Sequence, residues 1–201
     1  MIKVGMNLLL WSDNTSFAQH KQLLDQCKDM GFDGVEFNVG VISDEGDCAK
    51  FGEHARQLGL DVTTVGTFSP DICNPISPRS SLREATYSEF QKFIDLTLAF
   101  GGKLICGPLY QGLGYFTGQR PTQQEWDWSL EVMRPCFEYA KKHGVTVAVE
   151  PLNRFETHLI NTVEAGVQYV REMDMDNVGL LVDTMHANIE ELNLAEAFRK
   201  G

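Results

Sequence analysis

Val145-Thr-Val-Ala-Val-Glu150-Pro-Leu-Asn153-Arg-Phe-Glu156 reads as a buried β-strand that runs straight into a carboxylate. A charge at the end of an apolar strand is costly unless a cation or counter-charge meets it. The pattern returns one structural unit later in Val178-Gly-Leu-Leu-Val-Asp183-Thr-Met-His186. Strand-end carboxylates one repeat apart belong on neighbouring parallel strands, at the mouth where such sheets build their sites.

Outward from this stretch, short apolar runs alternate with amphipathic segments. Strands are expected at Val4–Leu10, Gly34–Phe37, Val62–Val65, Lys103–Cys106, Val145–Val149 and Val178–Val182. Helices are expected at Phe17–Met30, Cys48–Leu58, Leu82–Phe100, Gln123–His143, Thr162–Met173 and from about Ile189 to Lys200. Ser16 is placed to cap the first helix and Gly31 to end it in the left-handed region. Thr122 and Glu125 form a capping-box pattern, and Pro135 predicts a kink or break near Glu131–Arg134.

Strict alternation implies parallel strands with helical crossovers. The strand starts recur at about 35 residues on average, which matches an α/β protein of the (β/α)₈ TIM-barrel type. A doubly wound sheet is the other possibility, weakened because no Gly-x-Gly-x-x-Gly follows the first strand. The chain of 201 residues is expected to be a single domain, 1–201, holding about six of the eight βα units. Its first and sixth strands would then have open edges. Two C-terminal units are expected to be missing, or a partner to cover those edges.

A net charge of −11 opposes binding to a phosphate backbone, so no nucleic-acid partner is expected. The five dispersed cysteines fit reduced core thiols better than a disulfide framework. Neither a signal peptide nor an apolar run of membrane-spanning length is apparent, so a soluble, cytoplasmic protein is expected.

Glu150 and Asp183 together point to a metal site. Oxygen ligands suit Mg²⁺ or Mn²⁺, and an added imidazole shifts the preference toward Mn²⁺, Co²⁺ or Zn²⁺. The competing reading has each acid capping the next loop or pairing with an arginine such as Arg154. Glu156 and His186 face the same mouth in this scheme. Gly107-Pro-Leu-Tyr-Gln-Gly-Leu-Gly-Tyr-Phe-Thr-Gly118 is a loop long enough to cover a site.

Glu150-Pro-Leu-Asn-Arg-Phe-Glu156, Asp183-Thr-Met-His186-Ala-Asn-Ile-Glu190-Glu191 and Gly107-Pro-Leu-Tyr110 resemble the D-tagatose/D-psicose (allulose) 3-epimerase family, within the xylose-isomerase-like barrels. The resemblance runs through all six units. It implies a metal-dependent ketose 3-epimerase, with Mn²⁺ as the first choice of cofactor and Co²⁺ or Mg²⁺ as alternatives. Glu150 and Asp183 match metal ligands, Glu150 is also a catalytic carboxylate, and Glu156 and His186 match sugar-contacting positions. Trp11, just after the first strand, offers an apolar wall for a sugar face or is a packing residue at the rim.

The implied mechanism holds the ketose oxygens on the metal and stabilises a cis-enediolate after loss of the C3 proton. Two carboxylates on opposite faces move that proton. The family's third ligand histidine, second catalytic glutamate and sugar-binding arginine find no counterpart in residues 1–201, so this chain alone is expected to be inactive or nearly so. Other expected possibilities are a hydroxypyruvate isomerase, an inosose dehydratase or a non-catalytic sugar-binding paralogue. The expected partners are a small ketose and further copies of the chain in a homo-oligomer, with no membrane.

Overall fold

The computed structural model describes residues 2–12, 16–41 and 45–201. Six strands are formed: β1 (Gly5–Asn7), β2 (Gly34–Asn38), β3 (Asp61–Val65), β4 (Leu104–Gly107), β5 (Thr146–Val149) and β6 (Val178–Leu180). They lie in the sheet in the order β1-β2-β3-β4-β5-β6. A doubly wound sheet reverses its order at a switch point. This sheet does not, so its topology is that of an incomplete (β/α)₈ barrel of about six units.

The chain divides into two compact units, Met1–Gly66 with Lys92–Ile105 and Thr67–Gln91 with Cys106–Gly201. In the first, β1, β2 and β3 pair in parallel with Asn7 opposite Glu36 and Glu36 opposite Thr63. Asn7 Nδ2 and Thr63 Oγ1 both donate to the Glu36 carboxylate, at 2.9 Å each. Alternation along β2 therefore sends Glu36 to a polar face and Phe37 to the apolar one. There Phe37 stacks on Phe100 with centroids 4.2 Å apart, and Phe51 lies 5.0 Å away. Helices α1 (Phe17–Asp29) and α2 (Glu45–Leu58) cover this layer.

Two expectations for this unit change. The first strand stops at Asn7 because the Asn7 side chain accepts from Leu9 N–H and turns Leu8–Leu10 into a 3-10 helix. Ser16 occupies the N-cap of α1 without a side-chain capping bond. The carboxylate of Asp47 on α2 takes that role, accepting from Phe17 N–H at 2.8 Å. Lys50 first, and then this N–H, hold Asp47 below the usual carboxylate range. Gly31 does end α1 in the left-handed region, at φ 88°.

The second unit contains α4 (Gln123–Lys142), α5 (Val163–Met173), α6 (Thr184–Glu190) and α7 (Leu194–Lys200), and the helix before them, α3 (Ser80–Ala99), starts in it. The Thr122–Glu125 capping box is complete. Pro135 lies inside α4, which continues through it without a break. The expected last helix is two helices. Glu191 is extended, its carboxylate accepts from Val163 N–H at the start of α5, and Asn193 caps α7. All five cysteines are buried. Among the described residues no helix is long and apolar enough to cross a membrane.

Candidate metal centre

β5 and β6 pair in parallel with Val149 opposite Leu180, and Leu181 N–H donates to Val149 O at 2.9 Å. Glu150 follows β5 at once, and its N–H donates to Gly107 O at 2.9 Å. Asp183 stands three residues beyond β6 as the N-cap of α6, where its Oδ1 accepts from Met185 N–H at 2.6 Å and His186 N–H at 3.1 Å. Capping uses one carboxylate oxygen and leaves the lone pairs of the other for a cation.

One turn into α6, the His186 ring reaches back toward β5, with Nε2 4.0 Å from Glu150 Oε1. Candidate ligand atoms of Glu150, Asp183 and His186 all lie within 4.8 Å of one another. Two half-buried carboxylates beside a buried imidazole form a donor set that fits a divalent cation. The capping and metal readings of Asp183 are thus compatible in one side chain.

Glu156 joins the edge of this cluster, its Oε1 3.8 Å from His186 Nδ1. Asn153 links the two, with Nδ2 donating to Glu156 Oε1 at 2.8 Å and to His186 Nδ1 at 2.7 Å. Trp11 belongs to the first unit, where it ends the 3-10 turn and is half exposed.

Arg154 pairs with Glu190 rather than with the acids of the cluster, through its N–H, Nε and a terminal nitrogen at 2.6 to 3.1 Å. The Glu190 side chain is almost fully buried, and the Arg154 guanidinium holds its carboxyl below the ordinary range. A lowered folded-state pKa means that this clasp contributes fully above the unfolded value of about 4.3. The contribution is lost as pH falls through the lower folded value. Acid unfolding followed by circular dichroism is expected to show a shallower acid limb in Glu190→Gln than in the parent chain.

The loop carrying Asn153 and Glu156 is held from below by Tyr110. Its hydroxyl accepts from Leu152 N–H at 3.2 Å, donates to Ile160 O at 2.9 Å, and lies 3.1 Å from Thr157 Oγ1. Burial pushes the Tyr110 phenol pKa up. Gln111 Oε1 adds bonds from His158 N–H and Leu159 N–H. The first half of the Gly107–Gly118 loop is therefore a packed support, and only its second half is exposed. Tyr110→Phe leaves the buried Leu152 N–H and Ile160 C=O without this partner and is expected to cost about 1–3 kcal/mol. Urea unfolding measures the loss, and an unchanged midpoint would assign the support to packing alone.

Sequence reasoning missed the roles of Asn153 and Tyr110. Asn153 lies inside the opening stretch and Tyr110 inside the quoted loop, but nothing in their local sequence says which loops they join.

Residues 24–201 match the xylose isomerase-like TIM barrel family. The L-ribulose 3-epimerase of Mesorhizobium japonicum is 29% identical over 199 residues, covering 99% of this chain and 66% of that protein. A solved structure of an L-ribulose 3-epimerase superimposes with a TM-score of 0.91 at 29% identity, covering 99% of this chain and 66% of that one. The D-psicose 3-epimerase from Clostridium cellulolyticum H10, solved with D-tagatose, gives a TM-score of 0.87 at 27% identity, covering 99% of this chain and 69% of that one. The chain spans about two thirds of the length of these relatives. With sheet order, strand-end acids and family match in agreement, the chain belongs to the xylose isomerase-like TIM barrel family.

Proposed function

We propose that this chain carries the metal-binding half of a ketose 3-epimerase site. The observation that carries the reading is the convergence of Glu150, Asp183 and His186 at the ends of β5 and β6. Similarity to proteins named L-ribulose and D-psicose 3-epimerases supports a ketose as the substrate class. Glu150 and Asp183 would hold the cation, Mn²⁺ first and Co²⁺ or Mg²⁺ next. A cation bound there supplies Lewis-acid stabilisation of charge on a substrate oxygen.

The protein groups do the rest. Glu150 takes the C3 proton, the C–H electron pair moves toward the C2 carbonyl, and a cis-enediolate results. His186 and Glu156 orient the sugar's oxygens. Inversion needs the proton returned on the opposite face of C3, which requires a second acid. Glu150 alone supplies one face. Residues 1–201 by themselves are therefore expected to exchange the C3 proton faster than they invert the carbon.

Incubating the purified chain with Mn²⁺ and D-tagatose or D-fructose in D₂O tests this. Proton NMR is expected to show metal-dependent loss of the C3–H signal with little or no epimer formed. Absence of exchange at C3 in both ketoses would refute the reading. A dehydrated product would favour an inosose dehydratase, and turnover of hydroxypyruvate a hydroxypyruvate isomerase. The native mass tests the proposed homo-oligomer.

A further inference from the structure

The cluster of Glu150, Asp183 and His186 invites a three-ligand metal site, but the hydrogen bonds around His186 argue otherwise. We infer that Asn153 is a positioning residue: it locks the imidazole of His186, already a sugar-contacting position in the proposed site, with its proton on Nε2 and so presents an N–H donor to a ligand oxygen. The inference rests on the ketose-epimerase reading for the identity of that oxygen, and on geometry alone for the tautomer.

The orientation of the Asn153 carboxamide follows from its neighbours. Its Oδ1 accepts from Phe155 N–H at 2.9 Å, which directs Nδ2 to Glu156 Oε1 at 2.8 Å and His186 Nδ1 at 2.7 Å. Reversing the carboxamide would set its oxygen against the Glu156 carboxylate and its nitrogen against the Phe155 N–H. Asn153 is 3% exposed, so water cannot repair that mismatch. Both amide hydrogens are thereby assigned, one to each acceptor.

His186 Nδ1 must then be an acceptor. The Asn153 backbone N–H, 3.4 Å away, also points at Nδ1. A neutral imidazole with Nδ1 accepting carries its proton on Nε2. Nε2 is the atom turned toward Glu150, at 4.0 Å from Oε1, which is too long for a hydrogen bond. An N–H has no lone pair for a cation, but it can donate to an oxygen seated between the imidazole and the strand-end carboxylates.

Glu156 is part of the same device. Its carboxylate fixes one hydrogen of Asn153, and Asn153 fixes the ring of His186. The Glu156 side chain is 41% exposed, so a hydroxyl of an incoming ligand can reach it. A ligand that binds Glu156 thus contacts the group that orients the His186 donor.

The test begins with the ¹⁵N-labelled chain without metal or sugar, at a pH of about 8 where an ordinary imidazole is neutral. Long-range ¹H–¹⁵N correlation of the ring, assigned with His186→Gln, is expected to show Nε2 protonated and Nδ1 unprotonated. Asn153→Asp replaces the donor by an acceptor and is expected to move a proton onto Nδ1. A purely structural asparagine would leave the pattern unchanged. A parent spectrum with Nδ1 protonated, or a folded Asn153→Asp with unchanged nitrogens, overturns the inference. If Asn153→Asp does not fold, the parent spectrum decides.

Mn²⁺ alone gives a second readout by pulsed electron paramagnetic resonance. No directly bound ¹⁵N is expected, and a nitrogen coupling that disappears in His186→Gln overturns the inference. Mn²⁺ affinity is expected to stay within about 3-fold in His186→Gln, short of the roughly 10–100-fold losses typical of disturbed metal sites. These measurements need no turnover, so failure of C3 exchange would refute the epimerase reading and leave the tautomer standing.

Discussion

Glu150→Gln is expected to weaken Mn²⁺ binding by at least about 10-fold. The same substitution is expected to lower C3 proton exchange by about 10²–10⁴-fold, the range for losing a positioned acid or base. Glutamine keeps the length and shape of the side chain and one acceptor oxygen, so packing after β5 changes little. The carboxamide has neither the negative charge that holds a hard cation nor the basicity to take a proton. Asp183→Asn separates two roles at the neighbouring strand. Asparagine caps helices as well as aspartate does, so α6 should keep its start while the cation loses a charged ligand. Calorimetric titration with Mn²⁺ and exchange in D₂O read both variants. Parent-like Mn²⁺ affinity in both would remove the strand ends from consideration as the metal centre.

That pair of acids was legible in the sequence because strand periodicity and repeat spacing are local properties. Six apolar runs at regular intervals fix a parallel α/β plan, and a carboxylate at the end of a run marks its own unusual environment. The observed strand order removes the doubly wound alternative. Elements governed by distant partners were less legible. The last helix divides because Glu191 is drawn to Val163 N–H, 28 residues away in sequence. α1 is capped by Asp47 from 30 residues away, although Ser16 sits in the cap position. Arg154, a candidate partner for the acid cluster, instead meets Glu190 on α6. In the site itself, Glu150 and Asp183 could be named from the pattern of the chain, whereas the Asn153–His186 bond depends on how the loop after β5 is folded against α6. Donor and acceptor roles of an imidazole are settled by such contacts, which spacing does not encode.

Phe37→Ala is expected to destabilise the chain by about 3–5 kcal/mol, the usual range for emptying a buried phenylalanine site. Phe37 occupies the fourth position of β2 and has no exposed surface. Its ring is nearly parallel to Phe100, with an interplanar angle of 15°, and is tilted against Phe51. Removing it takes away both aromatic contacts and leaves a gap that two large rings in fixed positions cannot close. Gly52 of α2 lies so close to the end of α3 that an added Cβ would stand 2.6 Å from Phe100 O. That close approach limits how far the helices can move inward to fill the gap. Against a total stability of about 5–15 kcal/mol, the loss is about a fifth or more of what holds a domain folded. At about 2–4 °C per kcal/mol for a chain of this size, the melting midpoint should fall by about 6–20 °C. Phe37→Leu keeps much of the volume and is expected to cost less than half as much, which distinguishes cavity formation from a general intolerance of β2 to change. Urea unfolding with an unchanged m-value would assign the whole effect to the folded core. A loss below about 1 kcal/mol for Phe37→Ala would mean that Phe51 and Phe100 repack, contrary to the constraint imposed by Gly52.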